Sequence, residues 1–117
     1  ANKIQKRAAR LGFDWPNSDA PLEKVSEEIQ EVKELLHEPK LNKEKLTEEA
    51  GDVIFSLVNV LRKLDINPEE ALKVSNQKFV NRFKSIEKII KEKNLDFKNL
   101  SLEELEEFWQ QVKKEER

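Results

Sequence analysis

This sequence predicts an all-α helical bundle of four to five helices, and three observations carry that prediction. Apolar residues recur at helical spacing through most of the chain, and helix-capping signatures separate the periodic stretches. The 117 residues include only 2 Gly and 4 Pro, too few breaks for a many-turned β-sandwich. The length suits one domain over 1–117.

The elements follow in order. A short basic helix over 2–11 ends at 13–21, where Pro16 and Pro21 interrupt it. A long helix comes next, with Asp19 as its cap and Pro21 tolerated in the first turn. Leu22, Val25, Ile29, Val32 and Leu36 place one apolar stripe along it, and Pro39 closes it. Asn42 caps a helix in which Val53, Ile54, Phe55, Leu57, Val58 and Val60 cover far more than one stripe. Asn67-Pro68-Glu69-Glu70 reads as N-cap, first-turn Pro and capping-box Glu, opening a third long helix to about residue 93. Its stripe is Leu72, Phe79, Phe83, Ile86 and Ile90. Ser101 and Glu104 repeat the capping box before a last helix that turns Leu102, Leu105, Trp109 and Val112 inward. Short connections predict that sequential long helices pack antiparallel. The wide apolar arc after Asn42 exceeds what a small monomer covers, which predicts a helical dimer.

Composition excludes several functions. Lys+Arg 22 against Asp+Glu 24 gives a net charge of -2, so nothing global draws the chain to nucleic acid or an anionic membrane. Without Cys there is no thiolate chemistry, and the single His37, placed near a helix C-terminus, makes no zinc centre. Any metal would be oxygen-liganded. No apolar run approaches the roughly 20 residues of a membrane span, so the expectation is a soluble cytoplasmic protein. The absence of Met suggests a processed chain or an excised piece.

Acid pairs three residues apart arise by chance in so charged a chain, so context must separate them. Glu49, Asp52, Ser56 and Asn59 line one polar stripe of a helix otherwise apolar nearly all round. Glu28 and Glu31 flank the apolar stripe of the preceding helix. If those helices are antiparallel neighbours, four carboxylates converge and suit a hard divalent cation, Mg2+, with Mn2+ as a substitute. The pattern equally allows four solvated acids paired with Lys24, Lys45 or Lys63. Gly51 lies inside this helix at a cost of up to about 1 kcal/mol, explained either by a backbone approaching the site or by a close helix crossing. Lys78 and Arg82, four apart, and Trp109 and Lys113, four apart, each share a helix face. Such cations suit a polyphosphate and the ring a nucleobase; the alternatives are solvated charge and a core aromatic.

Several spaced elements together resemble a known family. They are Arg7-Ala8-Ala9-Arg10-Leu11-Gly12-Phe13-Asp14-Trp15-Pro16, Glu27-Glu28-Ile29-Gln30-Glu31, and Glu48-Glu49-Ala50-Gly51-Asp52 with Phe55 and Val58-Asn59. Asn76-Gln77-Lys78-Phe79 with Arg82-Phe83, and Trp109-Gln110-Gln111-Val112-Lys113, complete the set. Over almost its whole length the chain resembles the C-terminal domain of MazG-type nucleoside triphosphate pyrophosphohydrolases. The resemblance implies an all-α NTP pyrophosphatase fold, dimeric or larger, with Mg2+ on Glu28, Glu31, Glu49 and Asp52. It also implies cleavage of NTPs and dNTPs to monophosphate and pyrophosphate, with Lys78 and Arg82 on phosphates and Trp109 and Lys113 on the nucleotide. The expected mechanism is attack of water on the α-phosphorus, with Glu31 as the candidate general base. The rival expectations are a catalytically silent nucleotide-binding or regulatory module and a helical oligomerisation domain.

Overall fold

A computed structural model describes residues 1–116, and among these it contains helices and no strand. The helices are α1 (Asn2–Arg10), α2 (Asp19–Leu36), α3 (Lys43–Lys63), α4 (Pro68–Glu92) and α5 (Leu102–Glu115), with a 3-10 turn at Phe97–Asn99. The all-α class is therefore as expected. Two compact units divide the chain, Ala1–Glu70 and the remainder from Ala71.

The helix starts follow from local chemistry. Asn42 Oδ1 accepts from the Lys45 N–H at 3.2 Å, and Asn67 Oδ1 accepts from Glu69 and Glu70 N–H at 2.9 and 3.2 Å. Ser101 and Glu104 form both halves of a capping box. Each such cap contributes about 1 kcal/mol. Asp19 does not cap α2. It is the first helical residue, and its own N–H donates to Asn17 Oδ1 at 2.9 Å. At the C-termini, Gly12, Asp65 and Asn94 all adopt positive φ, and the next residue's N–H bonds five residues back, to Ala8, Leu61 and Ile90. That geometry satisfies carbonyls a helix end leaves open.

In the first unit α2 and α3 form a hairpin across 37–42, and α1 packs on α3. Gln5, buried on α1, donates through Nε2 to the Phe55 carbonyl at 2.8 Å. The inward stripe of α2 is Pro21, Val25, Glu28, Val32 and Leu35, and that of α3 is Leu46, Glu49, Val53, Ser56 and Val60. The stripe expected for α2 is thus rotated. Leu22, Ile29 and Leu36 are exposed, one residue and about 100° from the positions that face α3. Two heptads share Val25 and Val32 on α2, and the one carrying Glu28 faces in. On α3 the wide apolar arc is left uncovered, with Ile54 63% exposed and Leu57 and Leu64 also open. Gly51 contradicts both of its expected explanations, because a Cβ there would meet nothing within 4 Å.

In the second unit α4 and α5 bury Ile86, Ile90 and Val112, with Phe97, Leu105, Phe108 and Trp109 packed around them. Phe83 bridges Phe97 at 5.6 Å and Phe79 at 6.0 Å between ring centroids, and Phe79 meets Trp109 at 5.4 Å. Leu72 and Leu102 were expected inside and are exposed, Leu102 to 82%. The reason at Leu72 is length: α4 runs ~37 Å and α5 ~21 Å, so the first turns of α4 project beyond their mutual contact. Leu102 opens α5, clear of the core at Ile86, Ile90 and Val112.

Candidate metal and phosphate sites

The hairpin places residues about equally far from its loop against one another, and this brings carboxylates together. Oxygens of Glu28 and Glu31 on α2 and Glu49 on α3 lie within 4.8 Å of one another. Glu28 is 4% exposed, Glu49 is half-buried and Glu31 is open to solvent. Asp52 is exposed and lies outside this set, one turn further along α3 and beside, not on, the inward stripe.

Charge crowding is visible in the protonation of the group. Its sharing of hydrogen bonds with Glu31, its loss of water and its contact with Glu28 push the Glu49 carboxyl up to about 7. Lys24, one turn before Glu28, donates to its Oε1 at 2.9 Å and holds the Glu28 carboxyl below its usual range. Buried carboxylate oxygens are costly without a donor or a cation. Yet Glu28 Oε2 and Glu49 Oε2 are both buried with no hydrogen-bond partner. An all-carboxylate donor set with two orphaned oxygens fits a hard divalent cation such as Mg2+, with waters completing its octahedron. The surface-pairing alternative holds for Lys24 alone. Lys63 is engaged by Asp14 at 3.1 Å, and among the described residues no ion pair joins Lys45 to these acids.

The polar stripe of α3 continues through Ser56 and Asn59, as the sequence predicts, and ends in a clamp that sequence reasoning did not find. Asn59, buried, accepts from Arg62 at 3.1 Å, and Arg62 in turn makes a two-pronged pair with Asp14 at 2.6 and 3.1 Å. The Arg62 guanidinium holds the Asp14 carboxyl well below the usual carboxylate range. This clamp ties the segment after α1 to the last turn of α3. The one sequence signal for it is the adjacent cation pair Arg62-Lys63 at a helix C-terminus, beside an acid in a Pro-terminated turn.

The second unit gathers the predicted cations. Arg82 grips Glu116 through Nε and one terminal nitrogen at 3.0 to 3.1 Å, and its guanidinium lies 5.5 Å from the centre of the Trp109 ring. Lys78 and Lys113 add their fields at the same carboxylate, which the Arg82 hydrogen bonds above all hold below its usual range. Trp109 itself is half-buried, packed against the Ile86 core on one side and carrying the Arg82 guanidinium over its ring. Beside these groups Val74, Gln77, Lys78, Asn81 and Glu116 line an open groove of about 590 Å³. Arg82, Lys78 and Lys113 thus bring positive charge together at one carboxylate.

Residues 17–87 match the MazG nucleotide pyrophosphohydrolase domain. A protein of Escherichia coli K12 named nucleoside triphosphate pyrophosphohydrolase is 43% identical over 116 residues, 99% of this chain and 44% of that protein. One of Thermotoga maritima, named nucleoside triphosphate pyrophosphohydrolase/pyrophosphatase MazG, is 41% identical over 97% of this chain and 42% of its own length. The chain thus spans less than half the length of these curated relatives. A Bacillus subtilis protein, YabN, is 44% identical over 72 residues, which are only 15% of it.

Proposed function

The chain belongs to the MazG nucleotide pyrophosphohydrolase domain family, and on that premise we propose that it hydrolyses NTPs and dNTPs to the nucleoside monophosphate and pyrophosphate, acting as one domain. The observation that supports this most is the pair of buried, partnerless oxygens on Glu28 and Glu49 within a three-carboxylate group. Glu28, Glu31 and Glu49 would hold Mg2+, or Mn2+ in its place, and Asp52, exposed one turn further along α3, would reach toward the cation as a fourth ligand. When bound, the cation neutralises phosphate oxygens and makes a bound water more acidic.

The chain's own residues then have distinct tasks. Glu31, the solvent-open carboxylate, accepts the proton of the water that attacks the α-phosphorus, and pyrophosphate leaves. Arg82 and Lys78 hold phosphate oxygens, Arg82 through the fork it offers to Glu116, while Lys113 and Trp109 contact the nucleotide. Lys24 keeps Glu28 ionised for metal. The uncovered stripes at Leu22, Ile29 and Leu36 and at Ile54 and Leu57 support a homodimer or larger assembly. Among the described residues no helix is long and apolar enough to cross a membrane; we place the enzyme in the cytoplasm, with small-molecule substrates and with neither a membrane nor a nucleic-acid partner.

Phosphorus NMR of products from NTPs and dNTPs in 18O-labelled water tests the proposal. Monophosphate carrying the label, with pyrophosphate, appearing only with divalent metal, is the expected result. Orthophosphate, or label in pyrophosphate, overturns the assigned scissile bond. No product, with nucleotide still bound in calorimetry, moves the chain to the silent binding module.

A further inference from the structure

Glu116 is an acid in an unfavourable place. It is the C-cap residue of α5, where the helix dipole disfavours negative charge and where Lys113 and Lys114 supply the expected cations. Its compensation is the cation group around it. Both carboxylate oxygens engage Arg82, Oε1 accepting from Nε and Oε2 from a terminal nitrogen, which is the fork geometry that also grips phosphate. The two partners differ in freedom. The Arg82 side chain is 17% exposed and lies over the Trp109 ring, whereas Glu116 is 42% exposed at the helix end and has the open groove lined by Lys78, Gln77 and Asn81 beside it.

We propose that Glu116 is an internal competitor for the anionic ligand at Arg82: in the free protein its carboxylate occupies the guanidinium edge that a phosphate takes, and it must leave for nucleotide to bind. This rests on the reading that Arg82 holds phosphate. The contact holds the Arg82 fork in position between ligands, and it sets a cost that every phosphate ligand meets before it gains the Arg82 bonds. Because the competing bond is partly exposed, that cost is small and screened by salt, so Glu116 tunes affinity without closing the site.

The test is calorimetric binding of a non-hydrolysable nucleoside triphosphate, with Mg2+ and at low salt, to the unaltered chain and to Glu116→Gln, Glu116→Ala and Arg82→Ala. Both Glu116 variants are expected to bind about two- to fivefold more tightly, with the gain shrinking as salt rises. Affinity that is unchanged or weaker in both variants, while Arg82→Ala weakens binding, overturns the proposal and leaves the phosphate role of Arg82 standing; weaker binding makes Glu116 a positioning residue. Unchanged binding in Arg82→Ala overturns both. Thermal unfolding of each variant shows that the fold persists.

Discussion

In the first unit the buried side chains are Pro21 and Val60 together with the polar Gln5, Glu28, Ser56 and Asn59, whereas in the second unit they are Ile86, Ile90 and Val112. The first unit meanwhile leaves Leu22, Ile29, Ile54 and Leu57 in contact with water. A hairpin that buries Glu28 and half-buries Glu49 while it exposes isoleucines gives up stability at that interface, since unpaired buried polar groups cost free energy and buried apolar area supplies it. The second unit keeps its cations at the rim of an apolar and aromatic core. Carboxylates meet inside the hairpin, and cations meet at the surface.

The comparison breaks most decisively if polar and apolar interiors respond alike to substitution. Glu28→Gln is expected to lower turnover at least a hundredfold and to remove metal binding seen by calorimetry, with the helical circular dichroism intact. Ile90→Ala is expected to cost about 3 kcal/mol in urea unfolding and to leave metal binding in place. A second test addresses the uncovered face. Ile54→Glu should reduce the mass in sedimentation equilibrium to that of a single chain, and an unchanged mass would remove α3 from any interface.

The pH response of the hairpin has a defined sign. The Glu49 carboxyl is raised from 4.5 to about 7 in the fold, so the metal-free protein loses stability as pH rises through that window, and Mg2+ should restore more of it at pH 8 than at pH 5. Thermal midpoints with and without Mg2+ read this directly, and Glu49→Gln should flatten the metal-free profile. The smallest effect is expected at Gly51, where Ala meets no neighbour and should raise stability by up to about 1 kcal/mol. A loss there would mean that another chain packs against that turn.

Helix starts were legible because caps are local: Asn42, Asn67 and Ser101 act within three residues of themselves. The rotation of α2 was not legible, since Leu22, Ile29 and Leu36 form as good an apolar heptad as the one that turns inward, and periodicity does not say which is covered. The sequence allows Glu28 and Glu31 to face Glu49 only if their helices are antiparallel neighbours, and the hairpin meets that condition, with oxygens of the three within 4.8 Å of one another. Asp52 shares a polar stripe with Glu49 in the sequence, and the fold leaves it exposed beside the inward stripe, which steps from Glu49 to Val53. The Asp14 clamp joins residues 48 apart in sequence, and nothing local announces such a partner.

That clamp also gives the chain an internal timer. Arg62 and Lys63 form a double trypsin site in mid-chain, yet their side chains are only 10% and 17% exposed, folded onto Asp14 at the end of a continuous helix. A protease requires an extended, accessible strand of several residues, so cleavage there waits on release of the 13–16 segment and fraying of the last turn of α3. The rate at which the Lys63–Leu64 bond is cut therefore counts openings of that one corner, and it does so in the unlabelled protein.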